Sequence, residues 1–297
     1  MEVSKSQIQA GHQTSGRRRK NRNQRKLMDG LLYMLMAAAT VVVVAALVMI
    51  IVYIIANGLG AISLDFIFSS HEGGIFPMIV TTAFLVVVAM FIALPIGIIT
   101  ALFLTEYSSK NAAVRWIRLA IETLAGIPSI LYGLFGLLVF SRMFGLGQSI
   151  IAGGLTLSIM VLPIIIRTTE ESLKTIPQSF REGSLALGTT QWQTIYRVVL
   201  PSALPGIITG AILSIGRIVG EAAPVLLTVG IAKNLPSSIF QSGRTLTIHL
   251  YYLTKEALRP EDFQIAFATA AVLVLFVIIV NTSTRGITAG FRKRLGV

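Results

Sequence analysis

The 297 residues include no cysteine. Disulfides, thiol catalysis, cysteine–zinc sites and iron–sulfur clusters are therefore excluded. Charge is also scarce: Asp, Glu, Lys and Arg make up 13% of the chain, where an ordinary soluble domain carries roughly 25%. Histidine is limited to His12, His71 and His249, far apart in sequence and without recognisable metal-ligand spacing. Acidic residues number 13 against 25 basic ones, a net charge of +12. Such a balance can serve nucleic acid, but no basic patch interleaved with aromatics occurs, and the cations are sorted by loop. Apolar residues fill the chain: 54% are hydrophobic and the mean hydropathy is +0.78. That balance argues against a soluble enzyme.

Six stretches approach the roughly 20 apolar residues that a membrane helix needs. They are Leu31 to Ala56, Pro77 to Leu104, Ile121 to Phe140, Ser149 to Ile166, Leu204 to Val229 and Phe263 to Val280. The expected fold class is all-α: a polytopic membrane protein with six transmembrane helices. The first stretch follows a basic run, Arg17 to Lys26, but is far longer than the 7–15 residues of a signal-peptide core. It reads as a retained anchor. Residues 1–29, rich in Gln, Ser, Arg and Lys, are expected to form a mostly disordered tail whose role is topology and contact with anionic lipid. Positive charge orients the bundle. Nineteen cations fall on the side that holds both termini and the loops after spans two and four, against five on the other. Both termini are expected in the cytoplasm. The organisation expected is a basic tail over 1–29, a first helix and external linker over 30–75, a transmembrane core over 76–283 and a second basic tail over 284–297. The external segment 230–262 carries an amphipathic stretch near Thr245–Leu258 that reads as a short surface helix.

The cytoplasmic loop 167–203 is long enough to have a task of its own. Ser179-Phe180-Arg181-Glu182 has the form of a capping box, which predicts a helix start there. Gly188 is placed to end that helix, and Thr190 to Arg197 form a second short helix leading through Leu200-Pro201 into span five. A small, weakly charged helix exposed in the cytoplasm suits a partner's groove. Here Glu182-Gly183-Ser184, three residues ending in Leu187, Gly188, nine residues and Val198-Val199-Leu200-Pro201 resemble the EAA motif of ABC importer permeases. Gly183 and Ser184 replace its two alanines, and Val198 its isoleucine. The resemblance implies that Glu182, Gly183, Ser184, Leu187, Gly188 and Pro201 belong to the loop that couples to a cytoplasmic ATPase subunit. Gly183 to Thr190 also comes close to a phosphate-binding loop. Its lysine is missing and no strand is expected before it, so nucleotide binding by this chain is rejected.

Arg217 and Glu221 lie inside the fifth apolar stretch, four residues apart on one helix face. A charge at the centre of a membrane helix costs roughly 2.5–3.5 kcal/mol on insertion scales. Gly206, Gly210, Ser214, Arg217 and Glu221 fall within about 80° of the helix circumference, opposite Ile207, Ile208, Ala211, Ile212, Ile215, Ile218 and Val219. Pro224 cannot donate to the Gly220 carbonyl, which predicts a kink or opening beside Glu221. The residues alone leave two readings open: a fixed cation offered to a passing anion, its planar fork suited to an oxyanion, or a salt bridge inside the bundle. In span three, Gly126-Ile127-Pro128-Ser129 predicts a kink, with Ser129 and Tyr132 read as packing residues. Glu122 reads as a helix-end charge.

The wider stretch from Leu187 to Thr228, with Leu204-Pro205-Gly206-Ile207-Ile208-Thr209-Gly210 and Gly216-Arg217-Ile218-Val219-Gly220-Glu221-Ala222-Ala223-Pro224, resembles the PstA-type permeases of phosphate-specific ABC importers. Similarity covers roughly residues 76–283 and includes Ala125 to Gly136. It implies the type I importer permease fold in the bacterial inner membrane, with Arg217 and Glu221 on the phosphate path. It also implies a homologous PstC-type permease, a PstB-type ATPase dimer that binds ATP and magnesium, and an extracytoplasmic phosphate-binding protein. The chain itself is expected to be no enzyme and to hold no cofactor or metal. The rivals are a permease for sulfate or molybdate, a self-sufficient secondary transporter or channel using Glu221, and a membrane scaffold.

Overall fold

The computed structural model describes residues 2–70, 73–107, 112–257 and 259–295. His71 and Leu258, used in the readings above, lie outside them. The chain divides into two compact units, Met1–Ala56 and Asn57–Val297. The first is built by helix α1 (Glu2–Gly58). Helix therefore runs through the segment expected to be a disordered tail. The first proline of the chain is Pro77, and Gln, Arg and Lys are good helix formers, so nothing in the tail stops a helix propagating from the apolar stretch.

The second unit is a helical bundle, with no β-strand among the described residues. Its elements are α2 (Leu64–Phe68), α3 (Phe76–Leu102), α4 (Ala112–Gly126), α5 (Ser129–Gly136), α6 (Ile150–Lys174), α7 (Gln178–Ala186), α8 (Gln191–Thr194), α9 (Leu200–Gly220), α10 (Ala223–Thr228), α11 (Leu246–Glu256) and α12 (Pro260–Leu295). Among the described residues, five helices of the chain are long and apolar enough to cross a membrane, and α4 with α5 makes a sixth, bent segment. The six apolar stretches of the sequence are thus present, but the third is folded back by 101° rather than straight. Pro128 causes this. It forces Ile127 out of the helical region and cannot donate a hydrogen bond, and it stands at φ −56°, ψ 138° as the N-cap of α5.

Helix α6 is the hub. Its N-cap Ser149 accepts from the Ala152 amide, and fifteen of its residues are buried. It packs between α3 and α9 through small residues. A Cβ on Gly97 of α3 would come within 2.6 Å of Ile165, and Cβ atoms on Gly206 and Gly210 of α9 would collide with Ser172 and Thr168. Membrane helices lack a hydrophobic drive toward one another, so close backbone approach of this kind carries the packing. The main core joins Leu85, Tyr132, Leu157, Val161, Ile165, Ile218, Val225 and Ile248.

The short helix expected near Thr245–Leu258 is present, but it is no surface helix. Thr245 caps α11 by accepting from the Ile248 amide, while Leu246 and Ile248 are fully buried. The Leu246 amide donates to Thr82 of α3 at 3.0 Å, and Thr247 donates to the Val219 carbonyl of α9. Amphipathicity revealed the helix. It could not reveal that this polar anchoring draws its start into the bundle.

Candidate functional site

Two regions gather the residues singled out in the sequence. The first surrounds α7. This helix starts at Gln178 behind Pro177, with no side-chain cap. The capping box belongs instead to α8, where Thr190 accepts from the Gln193 amide and Gln193 accepts from the Thr190 amide. The expected start at Ser179 is thus corrected: Pro177 has a fixed φ and needs no donor, so it opens the helix before Ser179 can cap it. Gly188 ends α7 as expected, at φ +82°, a left-handed conformation that side chains disfavour. Its amide donates to the Leu185 carbonyl.

Ser184 is tied inward. Its hydroxyl meets those of Thr189 at 2.8 Å and Thr194 at 3.0 Å, and the two threonines meet at 2.9 Å, locking α7 against α8. Glu182, Gly183 and Leu187 point outward; Leu187 is 87% exposed and a Cβ on Gly183 would meet open space. Phe180, Trp192 and Tyr196 are exposed beside them. Pro201 follows directly on the π-helical turn Ile195–Val199, within the helix that runs on into α9. The segment Gly183 to Thr190 is a helix end and turn, not a phosphate cradle.

Sequence reasoning passed over the residues that fasten this region. Arg181 is gripped by Glu106, with Nε to Oε2 at 3.2 Å and Nη2 to Oε1 at 2.8 Å. It also donates to the carbonyls of Ile176 at 2.9 Å and Leu173 at 3.0 Å. Glu106 sits in the π-helical turn Phe103–Tyr107 that ends α3, so one arginine joins α7 to the ends of α3 and α6. The pair is 75 residues apart in sequence, and no local pattern announces it. Glu170 adds a second brace, pairing with Arg118 of α4 and with Lys174 at 2.7 Å. Glu122 is more than a helix-end charge, since Arg167 of α6 reaches it at 3.5 Å.

The second region is the interruption between α9 and α10. Glu221 is the C-cap of α9 with extended backbone, φ −77° and ψ 132°, and Pro224 lies in the first turn of α10. The opening expected from Pro224 is present. Arg217 Nε lies 3.5 Å from Glu221 Oε1, with the arginine side chain 40% exposed and the glutamate 16%. The pair is in contact, yet the guanidinium is open rather than enclosed. The small-residue face divides along its length. Gly206 and Gly210 press on α6 and Ser214 is buried, so that part is helix contact. On the opposite side Ile207, Ile218 and Val219 are buried against packing neighbours. Only from Arg217 onward does the polar face open. Helix α5 backs the interruption: a Cβ on Gly133 would come within 2.7 Å of Pro224 Cα. Tyr132 is buried and donates to the Leu124 carbonyl at 2.7 Å across the bend of span three, a packing role. Among the described residues no group of three or more His, Asp or Glu is placed to hold a metal.

A bundle of bent membrane helices, a charged interruption in one of them and an exposed amphipathic helix at one end define a transport permease. Residues 93–297 match the family described as binding-protein-dependent transport system inner membrane component. The chain is 36% identical over 261 residues to the probable ABC transporter permease protein YqgI of Bacillus subtilis, covering 82% of this chain and 89% of that protein. It is 37% identical over 220 residues to the phosphate transport system permease protein PstA of Mycobacterium leprae, covering 74% and 71% of the two chains. In fold it resembles the MetNI methionine ABC transporter, at TM-score 0.59 and 21% identity over 73% of this chain and 94% of that one. It also resembles a bacterial alginate ABC transporter, at TM-score 0.63 and 18% identity over 88% and 96%. The chain belongs to the family of binding-protein-dependent transport system inner membrane components, and it is an ABC permease, a multi-pass transport subunit.

Proposed function

We propose that this permease carries inorganic phosphate into the cell. The observation that carries the reading is Arg217: a guanidinium held at a helix interruption inside an apolar bundle, touched by one carboxylate and otherwise open. A cation that cannot deprotonate and presents a planar fork of donors is suited to a tetrahedral oxyanion. Glu221 holds the arginine in place and yields it when an anion arrives, so binding is an exchange of partners rather than the filling of a deep trap. The phosphate permease from Mycobacterium leprae supports phosphate over other oxyanions.

Power for the movement comes from outside the chain. The exposed face of α7, with Phe180, Glu182, Gly183 and Leu187, docks in an ATPase subunit that binds ATP and magnesium. Arg181 passes the displacement of α7 to α3 and α6. A PstC-type permease completes the path, PstB-type ATPases drive it, and an extracytoplasmic protein delivers phosphate on the side of α11. With this orientation α7 and both termini face the cytoplasm. A self-sufficient transporter has no use for an exposed apolar helix face of this kind. The test of cargo is ATP-dependent uptake into proteoliposomes holding the full complex, with labelled phosphate, sulfate and molybdate compared at equal concentration. Phosphate uptake that excess sulfate does not suppress supports the reading. Uptake of sulfate or molybdate in its place overturns it.

A further inference from the structure

Arg244 is a buried cation, and nothing assigned so far uses it. It lies in the segment between α10 and α11, at the end of the bundle opposite α7, and is 8% exposed. Its Nε donates to the Ile231 carbonyl at 3.1 Å, and its guanidinium lies 4.7 Å over the ring of Tyr252. Among the described residues no carboxylate reaches within ion-pair distance of it, whereas Arg118, Arg167, Arg181 and Arg217 each have one. Glu256 acts on it only at longer range. Burying a cation without a partner is costly, so a site that keeps one has a use for it.

The surroundings are electropositive. Lys233 is exposed and lines, with Ser70, Asn234, His249, Leu253 and Ile265, a cavity of about 410 Å³. The Nδ1 atom of His249 is buried there without a partner. Burial, with the charges of Arg244 and Lys233, pushes the His249 pKa down to about 4, which leaves the ring neutral, so it adds no third positive charge beside the two cations. The segment is also fastened to the charged interruption. Ser242 donates to the Val229 carbonyl at 2.9 Å and Thr247 to Val219, so Arg244 sits between two anchors on either side of α10. Tyr252 beneath Arg244 and Tyr132 pack into one apolar cluster that also holds Ala222, the residue after Glu221.

We propose that Arg244, stacked on Tyr252 and assisted by Lys233 at the surface, is an outer oxyanion station that receives the cargo before it reaches Arg217. This rests on the phosphate-import reading for the identity of the anion, not for the existence of the site. The two stations differ in one respect. Arg217 has Glu221 as a resident competitor, while among the described residues no carboxylate lies within ion-pair distance of Arg244, and Glu256 acts on it only from further away. An anion is therefore captured first at Arg244 and passes inward by displacing Glu221 from Arg217. Conduction through successive weak sites requires entry without trapping, and stacking on an aromatic face holds the guanidinium ready without neutralising it.

The test is initial uptake of labelled phosphate by the full complex in proteoliposomes, with ATP hydrolysis followed in the same vesicles. Arg244→Gln is expected to lower uptake at least tenfold while hydrolysis stimulated by the loaded binding protein persists, and Arg244→Lys to restore part of it. Lys233→Gln, at an exposed position, is expected to raise the phosphate concentration for half-maximal uptake and to weaken its dependence on salt. Uptake within twofold of wild type in both Gln variants overturns the station. So does a parallel loss of uptake, hydrolysis and thermal stability in Arg244→Gln with Lys233→Gln unaffected, since that marks a structural arginine. Wild-type uptake of sulfate or molybdate instead of phosphate, impaired by Arg244→Gln, keeps the station and refutes the phosphate reading.

Discussion

Arg217 and Glu221 were legible from sequence because charge is so rare in the apolar runs that two charges four residues apart stand out. Arg181 and Glu106 were not, because each alone is an ordinary residue at a helix end and only the fold brings them together. Arg244 stands in a polar segment where one more cation carries no signal. Gly188 was visible by its place after a helix, and its φ of +82° makes a specific demand. Gly188→Ala must hold a left-handed conformation at a cost of about 1–2 kcal/mol. The variant is expected to misplace Leu187 and lower phosphate uptake per ATP hydrolysed, measured as the ratio of the two rates in one vesicle preparation. His249 makes a pH prediction. Its folded pKa of about 4, set by burial and by Arg244 and Lys233, lies below the ordinary 6.5. Between those values the unfolded chain binds a proton that the folded chain does not, so stability from this group is complete above 6.5 and falls as the pH drops toward 4. The melting temperature of the complex is expected to fall less between pH 7 and pH 5 in His249→Gln than in wild type.

At the scale of elements, the proline rules worked where the backbone decides the outcome. Pro128 and Pro224 announced the bend of span three and the interruption before α10. Amphipathicity fell short where tertiary anchoring decides, as at α11, whose start is drawn inward by Thr82 and Val219. The α6–α9 contact depends on size: Gly210→Leu places a branched side chain against Thr168 and is expected to destabilise by about 1–3 kcal/mol, read as a lower melting temperature of the assembled complex. The join between α7 and α3 depends on charge. Arg181→Glu alone sets two carboxylates face to face, and Arg181→Glu with Glu106→Arg restores the pair. Transport coupled to ATP is expected to be lost in the first and partly recovered in the second. Equal loss in both would assign the arginine's work to the carbonyls of Leu173 and Ile176 instead.

For the whole molecule, the number of apolar segments could be counted from composition and length, because a bilayer sets both. The bias of cations to one side gave the proposed orientation. The lack of cysteine makes that orientation easy to examine. In intact cells, Ala112→Cys, exposed at the start of α4 and outside the docking face of α7, is expected to react only with a membrane-permeant maleimide, and Ser238→Cys also with an impermeant one. The reverse pattern would invert the bundle. The central claim is that an oxyanion crosses by exchanging with Glu221 at Arg217. Its most direct measurement is ATP-dependent phosphate uptake by the full complex with Arg217→Gln, in a variant shown to be assembled. Loss of a charge-assisted hydrogen bond is worth about 1.5–3 kcal/mol, or roughly 10- to 150-fold. A fall in uptake of that order, with ATP hydrolysis retained, is the predicted result. Undiminished uptake would contradict the claim and leave Arg217 and Glu221 as a salt bridge that holds α9 in place.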